Sequence, residues 1–190
     1  MRVQTVRMRV RTAVGVLVLA LLSGCSATDA GSSSPEQGVT IAQSKSYAQL
    51  LRNEASSRLP PIVLQEVSET TDTSVACDDA SVDAAGLRRA WESSTRILVS
   101  NSTATRIQSV TDELVASFVA QDWTAEEGEG STDTLSSVRL SSASSLAGIT
   151  LETALKAEGQ EPSIHIVSTG ACALTGGPDS DEVVKLSEAQ

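Results

Sequence analysis

One amphipathic stretch, from Ala104 to Trp123, most constrains how this chain can fold. Ile107, Val110, Leu114 and Phe118 recur at three- and four-residue steps, widened by Val115 and Val119. In a helix they form a single apolar stripe, and "NSTAT" just before it offers N-cap residues. A helix with one greasy side has to lie on another layer, and the flanking segments read as strands. In "AWESSTRILVS" (90–100), Trp91, Thr95, Ile97 and Val99 alternate with Glu92, Ser94, Arg96 and Ser100, with Leu98 on the polar side as the exception. After the helix, "LAGITLETAL" sets Ala147, Ile149 and Leu151 against Thr150 and Glu152, and "SIHIVST" sets Ile164 and Ile166 against His165 and Val167. Both carry the period-2 pattern of half-buried strands. "TLSSVRLSS" alternates less well, with Val138 and Leu140 against Ser137 and Arg139.

Upstream, Tyr47, Leu50, Leu51 and Ala55 recur at helical spacing between Ile41 and Leu59, and Pro60-Pro61 ends that pattern. "IVLQEV" (62–67) and "SVAC" (74–77) read as two short strands around a turn, "SETTDT". "EEGEGSTD" reads as an acidic loop, and no internal repeat is visible. The expected fold is therefore α+β: a two-layer sandwich whose mostly antiparallel sheet of about four to five strands carries two helices on one face. The other face, bearing Ser, Thr, Glu and Arg, is expected to meet water.

The N-terminus determines the expected address. Arg2, Arg7, Arg9 and Arg11 precede an apolar run from Ala13 to Leu22. A spanning helix needs roughly 20 apolar residues, so this run is too short, and it reads instead as a secretory signal. The arginines are not adjacent, which argues against a twin-arginine signal. Leu22-Ser23-Gly24-Cys25 resembles the bacterial lipobox. The resemblance implies cleavage before Cys25, a diacylglycerol on its sulfur, and a lipid-anchored protein on the extracytoplasmic face of the cell membrane. Residues 1–24 would be the signal peptide, 25–40 the lipidated cysteine and a flexible Ser/Gly-rich tether, and 41–190 a single domain.

Arginine outnumbers lysine eleven to three, and Ala, Val and Ser abound, as in a high-GC genome. With the lipobox, "VAQDW" and "STGACALTGGPDSDEV", the chain resembles small lipoproteins of actinobacteria. That resemblance implies an extracytoplasmic address and a small α/β domain, and it brings no activity with it.

With Cys25 assigned to lipid, Cys77 and Cys172 remain as an even pair. In an exported protein a disulfide is the default for such a pair. A metal site built from both thiolates and His165 lacks a fourth ligand and any Cys-x-x-Cys spacing.

Loss of the four N-terminal arginines lowers Lys+Arg from 14 to 10 against 24 acidic residues, a net charge of −14. Such an acidic surface offers no footprint for nucleic acid; a basic protein or envelope partner suits it better. There is no G-x-S-x-G elbow, P-loop or dinucleotide fingerprint. His165 is the only histidine, and no single serine stands out beside it as a nucleophile. Asp78-Asp79, Glu126-Glu127-Glu129 and Asp179-Asp181-Glu182 read as solvated loop charges, and "DSDE" lacks EF-hand spacing. With an aromatic content of 2 %, and Trp91 and Phe118 on the expected core faces, few rings remain for a carbohydrate platform. No catalytic residue, metal or cofactor is expected. Two readings remain: a lipid-anchored binding module, which is favoured, and a small envelope hydrolase using a carboxylate pair. They part on whether two carboxylates converge in a cleft.

Overall fold

The computed structural model describes residues 38–61, 64–99, 103–155 and 161–189. Residues 1–37, which include the expected signal peptide, Cys25 and most of the expected tether, lie outside the described residues. The elements run α1 (Ile41–Ser57), β1 (Leu64–Ala76), β2 (Arg88–Val99), α2 (Ala104–Val119), β3 (Thr124–Glu127), β4 (Leu135–Ser141), β5 (Ala147–Ala154), β6 (Ser163–Gly170), β7 (Ala173–Leu174) and α3 (Asp181–Glu188). The fold is α+β. Its sheet is larger than expected: seven strands, all paired antiparallel, in the order β1-β2-β6-β5-β4-β3, with β7 against the start of β2.

Helix α2 makes this order possible. It leaves β2, second from one edge, and delivers the chain to β3 at the other edge. A 16-residue helix is about 24 Å long, enough to cover the four strand spacings, about 19 Å, between those strands. The chain then returns as a meander, β3 to β6, and closes against β2. Ile107, Val110, Leu114 and Phe118 are all buried, in one core with Ile97, Val99, Ile149, Leu151, Ile164 and Ile166. Thr103 caps the helix, its hydroxyl accepting from the Arg106 N–H at 3.2 Å.

Four expectations need correction. First, the segment expected as two short strands is one 13-residue strand, β1, running through "SETTDT". Its β-branched threonines suit a pleated edge, and β2 supplies a long partner: Thr71 and Ser94 hydroxyls meet at 2.7 Å. Two register shifts, at Leu64/Glu66 and Val67/Glu69, absorb the irregularity that resembles a turn in sequence.

Second, α2 ends at Val119, not Trp123. Asp122 takes a left-handed φ of 64°, a conformation that Asp tolerates better than most residues. The chain reverses there, Trp123 packs edge-on against Phe118 with centroids 5.2 Å apart, and β3 starts at Thr124.

Third, α1 is rotated from the expected stripe. Ile41, Ser44, Ala48, Leu51 and Ala55 face inward, while Tyr47 and Leu50 are 40 % and 65 % exposed. Small residues let this helix sit very close to the sheet: a Cβ on Gly170 would lie 2.4 Å from the Ser44 carbonyl oxygen.

Fourth, β3, β7 and α3 fall in stretches expected to be loop. With α3 the described residues hold three helices, against the two expected. Its Val183 and Leu186 pack with Trp91, Ile41, Ala48 and Ala173, so it joins the other two helices on the same face.

Cys77 follows β1 and Cys172 lies between β6 and β7; the disulfide joins them with Cα atoms 6.1 Å apart. That bond rules out the metal reading of these cysteines. The break between β6 and β7 also leaves the Trp91 N–H without a strand partner, and the buried Ser44 hydroxyl accepts it at 2.9 Å.

Candidate functional site

Among the described residues all helices lie on one side, so the opposite face of the sheet carries no described helix, and its register assembles residues that are far apart in sequence. One row crosses four strands as Glu69, Arg96, His165 and Glu152, continuing to Ser137. Arg96 Nε lies 3.9 Å from Glu69 Oε2, and His165 Nδ1 pairs with Glu152 Oε2 at 3.0 Å. The Arg96 guanidinium also reaches the Ser163 hydroxyl at 3.4 Å. A second row runs Thr71, Ser94, Val167, Thr150, Arg139 and Glu126, and a third carries Thr73, Glu92, Thr169 and Ser141. The face is thus a field of hydroxyls crossed by opposite charges in lateral pairs. Side chains here are 22–62 % exposed along the first row, so water screens each pair and each adds little stability.

Two shallow hollows mark this face. One of about 390 Å³ is lined by Glu69, Arg96, Leu98, Glu161 and Ser163. Another of about 290 Å³ lies among Arg139, Ser141, Gly148, Thr150 and Thr169. A third, of about 460 Å³, opens beside α2 and has Val115, Ala125 and Val138 with Ser131, Thr132 and Ser136 around it.

Each acidic group singled out from sequence has a local setting. Asp78 pairs with Arg88 at 2.8 Å. Neighbours on β3, Glu126 and Glu127 point to opposite faces and are both exposed. Asp181 and Glu182 occupy the first turn of α3, where negative charge suits the positive end of the helix dipole. Glu69 and Glu152, the two acids of the charged row, stand three strand spacings apart, about 14 Å between backbones. A glycosidase-type pair needs about 5–10 Å. Among the described residues, no group of three or more His, Cys, Asp or Glu gathers where a metal ion could be held.

One carboxylate is held below its ordinary value of 3.8: Asp83, through backbone hydrogen bonds from Arg88 and then Leu87. The Arg88 N–H donates to Asp83 Oδ2 at 2.7 Å. Asp83 starts a turn closed by Gly86, whose φ of 60° calls for glycine. It thereby shapes the loop beside the disulfide.

Sequence reasoning missed the polar cluster under the helices. Asp72 accepts from Trp91 Nε1 and Arg52, each at 3.2 Å, and from Gln49. The buried Lys45 ammonium lies 4.7 Å from the Trp91 ring and donates to the Leu186 carbonyl at 2.5 Å, at the C-terminal end of α3. Arg58 does the same for α2: it sits 3.8 Å from the Phe118 ring and donates to the Ser117 carbonyl at 3.0 Å. Nothing local in "SETTDTS" marks Asp72 as half-buried; only the pairing of β1 places it beside α1.

No family model matches this chain, nor does any curated protein or solved structure match it. Among the described residues, no helix is long and apolar enough to cross a membrane.

Proposed function

We propose that this protein is a lipid-anchored binding module of the extracytoplasmic membrane face that meets a basic partner through the bare face of its sheet. The observation that carries this reading is that face itself. Among the described residues, seven strands and three helices leave one broad surface with the hydroxyls of Thr71, Thr73, Thr150 and Thr169 and with Glu69, Glu92, Glu126 and Glu152 on it. Of the basic residues on the same side, Arg96 lies against Glu69, and Arg139 stands opposite Glu126 in the β3–β4 register. The net charge of −14 after cleavage speeds encounter with a basic surface. Short-range hydroxyl and carboxylate contacts would then replace water. The lipobox supports the anchor: two acyl chains hold a protein at a membrane where one gives only marginal binding.

Mild cross-linking of intact membranes, followed by co-purification, tests both halves. Cys25→Ala should leave the N-terminus unprocessed and shift the protein out of the lipid-modified membrane fraction, as read by intact mass. Reversing Glu69, Glu126 and Glu152 to lysine together should abolish capture of the partner, and rising salt should loosen it for the native chain. Capture that survives the reversal, or a hydrolytic turnover lost on His165→Ala, overturns the binding reading in favour of the envelope hydrolase.

A further inference from the structure

The edge of the sheet at β1 is a surface of a different kind from the bare face. β1 pairs only with β2, and no strand lies on its other side among the described residues. The Cys77 N–H donates to the Arg88 carbonyl at 2.9 Å. In an antiparallel ladder the hydrogen-bonded direction alternates residue by residue. The unbroken register from Thr70 to Ala76 therefore turns Thr71, Thr73 and Val75 toward β2, and turns the backbones of Thr70, Ser74 and Ala76 outward. The Ser74 carbonyl is already taken by the Arg89 side chain at 2.7 Å, and the Thr70 N–H and C=O, the Ser74 N–H and the Ala76 N–H and C=O are among the outward groups.

Proteins usually protect an edge strand with lysine, proline or a bulge. β1 contains no Lys, Arg or Pro. Its two register shifts lie before Thr70, so the stretch from Thr70 onward is regular and open. All of its charges are acidic: Glu66, Glu69 and Asp72. A second copy pairing antiparallel here would bring these like charges together, with a net −10 on each full-length chain. Like charges facing each other across strands are destabilising.

We infer that the β1 edge takes an extended, lysine- or arginine-bearing segment of another protein as an added strand. Backbone hydrogen bonds to Thr70 and Ser74 would fix its register, and Glu66 and Glu69 would select its charge. This inference rests on the unpaired edge and stands whether or not the bare face is used.

The test uses the full-length, detergent-solubilised protein and two synthetic peptides, one alternating lysine with valine and one alternating glutamate with valine. The lysine peptide should bind and slow amide hydrogen exchange in β1, and the glutamate peptide should bind at least about tenfold more weakly. Thr70→Pro removes an outward N–H that β2 does not use, so the fold should persist while lysine-peptide affinity drops by about tenfold or more. Thr70→Val keeps that N–H and should bind within about twofold of the native chain. His165→Ala, on β6 and two strands in from the edge, should change nothing. Undiminished binding by a folded Thr70→Pro variant overturns the inference. So does protection that falls on β5 and β6 instead of β1, or a stable dimer of the free protein that shields β1.

Discussion

The two faces of the sheet carry similar polar residues and use them in opposite ways. Under the helices, Asp72 is held by Arg52, Gln49 and Trp91, Lys45 and Arg58 each reach the carbonyls at a helix end, and the Thr111 and Thr153 hydroxyls meet at 2.9 Å. On the bare face, Glu69, Arg96, His165 and Glu152 pair sideways along one row, in contact with water. A buried polar group without its partner carries its full desolvation cost, about 1–3 kcal/mol; an exposed ion pair is worth about 0–1 kcal/mol. One face therefore holds the fold together and leaves the other available for recognition.

That contrast can be broken by mutation, with the largest effect on the covered side. Trp91 is fully buried, donates to Asp72 and packs under Lys45. Trp91→Ala should cost about 3–5 kcal/mol, read as a lower urea midpoint, and Leu114→Ala about 2–5 kcal/mol. Cys172→Ser should cost about 2–5 kcal/mol, because it releases a disulfide spanning 95 residues of sequence. Lys45→Met keeps the apolar stem but removes the donor to Leu186 and Ala189. It should cost about 1–2 kcal/mol and raise hydrogen exchange across α3 first. Arg96→Ala and His165→Ala, on the bare face, should stay within about 0.5 kcal/mol of the native protein. A loss from His165→Ala as large as that from Lys45→Met would erase the distinction between the faces.

The smallest effect is a local response to acid. The pKa of Asp83 lies below 3.8 in the folded chain, so its contribution is complete above that pH and is lost as pH falls through the lowered value. The Arg88 amide resonance should move as Asp83 is protonated, with no change in the core amides; Asp83→Ala should place it at the acid position already at neutral pH.

Much of the covered face was legible locally. The stripe from Ile107 to Phe118 and the alternation at 147–151 and 164–167 report burial directly, because neighbours in a helix or strand are set by short-range geometry. Cys77 and Cys172 were pairable by count once Cys25 was set aside and an exported protein was expected. The bare face was legible only in halves: Glu152 and His165 were readable as polar positions on their own strands, but not as partners.

What the sequence determined by itself was which side of α2 and of β2, β5 and β6 is greasy, where α2 begins, and that helices and a largely antiparallel sheet share one core. The tertiary structure alone decided that "SETTDT" is strand, that Asp72 is held by Arg52, Gln49 and Trp91, that α1 turns Leu50 outward, and that Glu69, Arg96, His165 and Glu152 form a row. Periodicity is a property of a few consecutive residues. Register and edge position depend on strands up to about 100 residues apart, whose pairing is settled by packing of the whole sheet against its helices.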